Sequence, residues 1–122
     1  MARVELTQNK GPEVINSFNG AVDSSGVYGP IVNVRNYTLH SYQVLNTGSQ
    51  SADFKIIGSN FTDVNGEPSS DFTNHWTTIS THTGIAAGNS LAYSDIWNFK
   101  YASVHLTSAS GTTISIYEKH NA

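Results

Sequence analysis

Hydrophobic and polar residues alternate most clearly over residues 99–117, FKYASVHLTSASGTTISIY. Ala102, Val104 and Leu106 share one parity and Ile114 and Ile116 another, while Tyr101, Ser103, His105, Thr113, Ser115 and Tyr117 oppose them. A period of two is the signature of a pleated strand with one buried face. The gap Ser108-Ala109-Ser110-Gly111 reads as a short loop, so the stretch predicts a closing hairpin whose apolar row faces a core. Upstream, similar patterns predict strands over Tyr37–Leu45, Ala52–Ser59, His75–Ser80 and Ser90–Tyr93. Asn46–Ser51 reads as a turn and Thr81–Asn89 as a connection. Residues 60–74 read as a loop too polar for a core element, with a possible small hairpin at Asn65-Gly66. No stretch keeps helical periodicity over three turns.

Residues 1–36 are less regular. Val4 and Leu6 hint at a short strand and Val14–Phe18 at another, before a run of breakers at Asn19-Gly20, Ser24-Ser25-Gly26 and Gly29-Pro30. One reading is a first strand or two and a long surface loop. The other is an extended arm that orders on a neighbouring subunit. The pattern as a whole predicts a single all-β domain over 1–122, an antiparallel, jelly-roll-like β-sandwich core over 37–119 with an irregular N-terminal arm over 1–36.

Composition sharpens this picture. Only 12% of the 122 residues are charged, and Ser, Thr and Asn number 16, 12 and 12, side chains that solvate sheet surfaces and turns. The net charge of −3 comes with six scattered Lys and Arg, which argues against a nucleic-acid groove. No apolar run approaches the roughly 20 residues that span a bilayer, and the first residues lack the apolar core of a signal peptide. The absence of cysteine excludes disulfides and thiolate metal sites.

Candidate chemistry is thin. Asp63-Val64-Asn65-Gly66-Glu67 gathers oxygen ligands, but its spacing departs from a calcium loop and fits an Asn-Gly turn. His40, His75, His82, His105 and His120 form no HxH or HExxH pair. His40 and His105 could be neighbours on strands, with a solvated or core-satisfied imidazole the simpler reading. There is no GxSxG elbow and no paired-acid cleft. The expectation is a non-enzyme without metal or cofactor. Asn36-Tyr37-Thr38 and Asn60-Phe61-Thr62 match the glycosylation pattern, which has little meaning without a signal peptide. Among the aromatics, Trp76, Tyr93 and Trp97 could stack on sugars or anchor an interface, or simply fill the core.

The succession of YQVLNTGSQSADFKIIGS, HWTTIST, TGIAAGNSLAYS and FKYASVHLTSASGTTISIYE resembles the small β-sandwich virion accessory proteins of tailed bacteriophages. The residues that carry the likeness are Gly58-Ser59, Trp76, Lys100-Tyr101, Val104, Leu106-Thr107 and Gly111-Thr112. The resemblance implies a capsid decoration (cement) protein, or a neck, tail or fibre component. It also implies a homo-oligomer, a trimer in the decoration role, made in the host cytoplasm and placed on a major capsid or other virion protein. Val4, Leu6, Val14, Ile15 and Phe18 of the arm, Asp63 and Asn65 of the loop, and Trp97 are the candidate interface residues. The alternative is a carbohydrate-binding, lectin-like module using Trp97, Tyr93 or Trp76; a small regulatory binder is a third possibility.

Overall fold

A computed structural model describes residues 13–122, apart from the side chain of Val14. It is an all-β sandwich of two antiparallel sheets. The strands are β1 (Glu13–Val22), β2 (Val27–Tyr28), β3 (Val32–Asn33), β4 (Leu39–Asn46), β5 (Ala52–Ser59), β6 (Thr77–Ile85), β7 (Ser90–Ile96), β8 (Tyr101–Thr107) and β9 (Thr112–Asn121). The first sheet runs β1-β9-β4-β7; the second runs β2-β8-β5-β6, with β3 also on β8. If β2 and β3 are taken as two pieces of one interrupted strand, each sheet has four. Apart from the two pieces β2 and β3, only β5 and β6 are consecutive strands in one sheet among the described residues; every other connection crosses the sandwich, the winding of a jelly roll.

That winding corrects the expected closing hairpin. Residues 101–107 pair with β5, and residues 112–121 pair with β1 and β4 in the opposite sheet. Ser108–Gly111 therefore arches between layers. The alternation itself holds: Val104, Leu106, Ile114 and Ile116 are buried face to face with Val44, Phe54, Ile56 and Val22 in the main core. Alternation reports which face is buried, whereas pairing depends on the partner strand, and both arrangements bury the same row.

The N-terminal region is also more regular than the breakers imply. Residues 13–22 form an edge strand in register with β9 over ten pairs, from Glu13↔Asn121 to Val22↔Thr112. The expected arm is thus part of its own sheet from residue 13 onward; Val4 and Leu6 lie outside the described residues. The predicted Thr81–Asn89 connection is shortened at its start, since β6 continues to Ile85, while β7 starts at Ser90 as expected and runs on to Ile96.

The 60–76 segment is a further correction, because it covers the outer face of the second sheet. Ile57 and Tyr101, outward on β5 and β8, pack with Trp76, Phe72 and Ile31. The Trp76 indole donates to the Ser69 carbonyl (2.9 Å), and the Ser59 hydroxyl donates to the His75 carbonyl (2.6 Å). Its Thr62–Pro68 bridge forms the small Asn65-Gly66 turn, with Gly66 at φ +82° where a side chain would be strained. Gly58 has a different task. A methyl group there would lie 2.8 Å from the Phe99 ring and 2.9 Å from Ile79. Gly58→Ala is expected to cost about 1–3 kcal/mol by overpacking, read as a lower urea midpoint at unchanged slope.

Candidate functional site

The inner face of the first sheet is apolar in the middle and polar at both ends. At one end Asn46 is fully satisfied: its amide donates to the carbonyls of Gln50 and Ile85, and its oxygen accepts from Gly48 N–H and the Thr112 hydroxyl. At the other end the inward parity of Ile114 and Ile116 continues into Glu118 and His120, beside His40 and Tyr42 of β4. His40 and His120 are completely buried and Glu118 is 4% exposed.

The hydrogen bonds in this cluster fix its protons. His40 Nε2 lies 2.9 Å from the Trp97 carbonyl, which can only accept, so Nε2 carries a hydrogen. His120 Nε2 lies 2.7 Å from Glu118 Oε1. The two Nδ1 atoms face each other at 2.8 Å, a contact that requires a hydrogen between them. With His40 neutral, His120 must supply that hydrogen from Nδ1. The remaining proton is shared between His120 Nε2 and the Glu118 carboxyl. The cluster thus holds one proton beyond two neutral imidazoles and a carboxylate, and is neutral overall. A bridging metal does not fit: two nitrogens each about 2.0 Å from a tetrahedral ion stand more than 3 Å apart. Among the described residues no group of three His, Cys, Asp or Glu could hold a metal.

Burial holds the His40 imidazole down at about 4, with His120 pushing the same way and the Trp97 carbonyl and Asp95 opposing. Burial also drives the Tyr42 phenol far above its ordinary range, helped by Glu118. Trp97 lies flat on His40, ring centroids 3.4 Å apart, and its Nε1 and the Tyr42 hydroxyl are buried without a hydrogen-bond partner among the described residues. Asp95, across β7 from His40, is pulled below the usual carboxylate range by the Tyr93 hydroxyl (2.6 Å) and the Ile96 N–H. Both histidines are sealed from solvent.

The candidate interface residues are spread over the molecule. Phe18, half-buried, packs against the main core, and Trp97, also half-buried, stacks on His40. Val14 pairs with His120, and Ile15, two places before Ser17, is 71% exposed. Asp63 and Asn65 sit on the exposed turn, where the Asp63 carboxylate accepts from the N–H groups of Asn65 (2.8 Å) and Glu67 (3.0 Å). That use of Asp63 explains the cluster of oxygens without an ion. Trp76 is buried, so it presents no ring face to a sugar. His40 and His105 lie in opposite sheets, and His105 stacks outside on Tyr28 (4.3 Å).

What the sequence reading missed is the bare outer face of the first sheet. Ile15, Leu39, Ile96 and Tyr117 are exposed there, with Leu39 directly opposite Ile96. Around them stand Ser17, Ser41, Gln43, Ala92 and Ser94, and Lys119, which is tied to Glu13 at 3.5 Å. The signal was present: the outward parity of β4 and β9 sets Leu39 and Tyr117 among neutral polar residues, with Lys119 its single charge. The second sheet has its cover in the 60–76 segment; the first has none among the described residues.

No family model matches the chain, and no curated protein matches it in sequence. Solved structures do match in fold. The PBSX exported protein XepA superposes with a TM-score of 0.65 at 14% identity, over 89% of this chain and 37% of that one. The SPBc2 prophage-derived protein YomS gives 0.53 at 14% identity, over 91% and 96%. PirA gives 0.57 at 14% identity, over 84% and 92%. The chain therefore spans nearly the whole of YomS and PirA and little more than a third of XepA. At such identities the shared property is the sandwich.

Proposed function

We propose that this chain is a structural protein of a tailed-bacteriophage virion, a capsid decoration (cement) protein that self-associates and attaches to the shell, and not an enzyme. The observation that carries the reading is the uncovered, nearly charge-free face bearing Ile15, Leu39, Ile96 and Tyr117, opposite a sheet that the chain covers itself. Large apolar side chains grouped on one flat face mark protein contact. The end-to-end likeness in fold to a prophage-derived protein supports the phage setting. The histidine–glutamate cluster supports a rigid block, since its polar groups are spent on one another.

The partner on this face is the major capsid or another virion protein. Ile96→Asp/Tyr117→Asp places two carboxylates on it without touching the core. Co-sedimentation with particles lacking the protein should fall at least tenfold for this variant while its thermal unfolding stays within 2–3 °C of the parent, roughly the span of surface changes. Equal binding of parent and variant removes the face from the reading. No binding by the parent, together with retention on a glycan array, replaces the virion role with the lectin alternative.

A further inference from the structure

The four edges of the sandwich are not alike. The second sheet ends on one side at β2 and β3, two residues each, and on the other at β6, whose pairing with β5 slips between Ala52 and Phe54 and again between Ile56 and Ile57. Short strands and bulges deny a free edge to another chain. The β7 edge of the first sheet is seven residues long and carries Asp95 near its end. Among the described residues nothing comparable protects β1. It runs ten residues with unbroken register and contains no Pro, Lys or Arg. Its single charge, Glu13, lies at its first position and is held by Lys119. Such a strand offers about 33 Å of backbone hydrogen-bonding edge.

We propose that β1 is a self-association edge: β1 of one copy pairs antiparallel with β1 of a second copy and joins two four-stranded sheets into one of eight. The occupant is a second copy because the strand is compatible with itself. Its outward side chains Ile15, Ser17, Asn19 and Ala21 are neutral, so antiparallel pairing sets no like charges opposite one another along them, and the two Glu13 residues fall at opposite ends of the joint. A charged partner strand would find no complement here. The two-fold axis of such a joint stands perpendicular to the sheet, so both bare faces end on the same side and the Ile15–Tyr117 patches become continuous. This inference rests on the self-association part of the reading above.

The absence of cysteine makes the test clean, because an introduced thiol reports only its own pairing. Ser17→Cys and Asn19→Cys place a thiol on exposed β1 positions, and Ser94→Cys does so on β7. Sedimentation of the parent should show a doubling of the 13.2 kDa mass. Mild oxidation should cross-link position 17, position 19 or a mixture of the two at least tenfold more than position 94. Ser17→Lys/Asn19→Lys should return the monomer with unchanged thermal unfolding. A trimer indifferent to the lysines overturns β1 pairing and leaves self-association standing. A monomer at every concentration overturns both. Cross-linking at 94 equal to that at 17 and 19 also overturns the β1 joint. Particle binding, read separately, decides the virion role whichever of these is found.

Discussion

Glu118→Ala lowers the free energy of unfolding by about 3–5 kcal/mol, the largest loss expected of any single substitution at the polar end of the core. Among the described residues Glu118 is the only carboxylate hydrogen-bonded to the buried pair of imidazoles, and it is 4% exposed with its oxygen 2.7 Å from His120. Without it the shared proton has no counter-charge. Losing that proton in turn leaves the His120 hydrogen on Nδ1 for His40 but strands its buried Nε2 without a partner, beside the cavity left by the missing carboxyl. In thermal terms the loss is roughly 10–20 °C for a domain of this size. Glu118→Gln separates charge from shape. Its amide nitrogen can take the place of Oε1 and donate to His120 Nε2, so the His120 hydrogen stays on Nδ1 for His40 and both bonds are kept. The expected cost is only about 1 kcal/mol, the difference between a charge-assisted and a neutral hydrogen bond. Urea unfolding of both variants at pH 7 checks the pair; equal stability of Glu118→Ala and the parent contradicts the proton assignment.

Acid is expected to destabilise the fold through His40. Its folded value is held at about 4 by burial, against an ordinary 6.5 when unfolded. Below pH 6.5 the unfolded chain takes up a proton that the folded chain refuses. The stability contributed by a neutral His40 is therefore complete above pH 6.5, declines as pH falls, and is exhausted near pH 4. At 1.36 kcal/mol per unit the loss is about 3 kcal/mol. His40→Gln, which lacks the titrating group, should show a drop between pH 7 and pH 4 smaller by that amount. Urea midpoints across the range, with an NMR titration of His40, supply the measurement. A His40 resonance that titrates near 6.5 in the folded protein would remove the effect.

Strand existence was legible in the sequence because alternation depends only on the burial of one face. Ile114 and Ile116 mark β9, and Phe54 and Ile56 mark β5, whatever strand lies beside them. Pairing was not legible. Ser108–Gly111 suits a hairpin and an arch equally, and the choice rests on contacts with β1, β4 and β5, far away in sequence. The 60–76 cover was hidden by its own polarity, since Phe72 and Trp76 are its only large apolar anchors on the second sheet. The histidine cluster was half legible. Glu118 and His120 continue the inward parity of Ile114 and Ile116, but residues of that kind at core positions read as a strand end. The bare sheet face needed the two sheets to be assigned before anything could be called uncovered.

The central place of β9 between β1 and β4 bears on how the chain acquires its shape. The first sheet has no contiguous half that can stand alone: β1 touches the rest of it only through residues 112–121. A ribosome must deliver nearly all of the described residues before β1 finds its neighbour, so closure waits for residues 112–121, and the wide loops to be closed make it slow. Until then the edges described here, and the patches beside them, do not exist in a form that another copy could recognise. The proposed self-association is thereby timed by the chain's own winding.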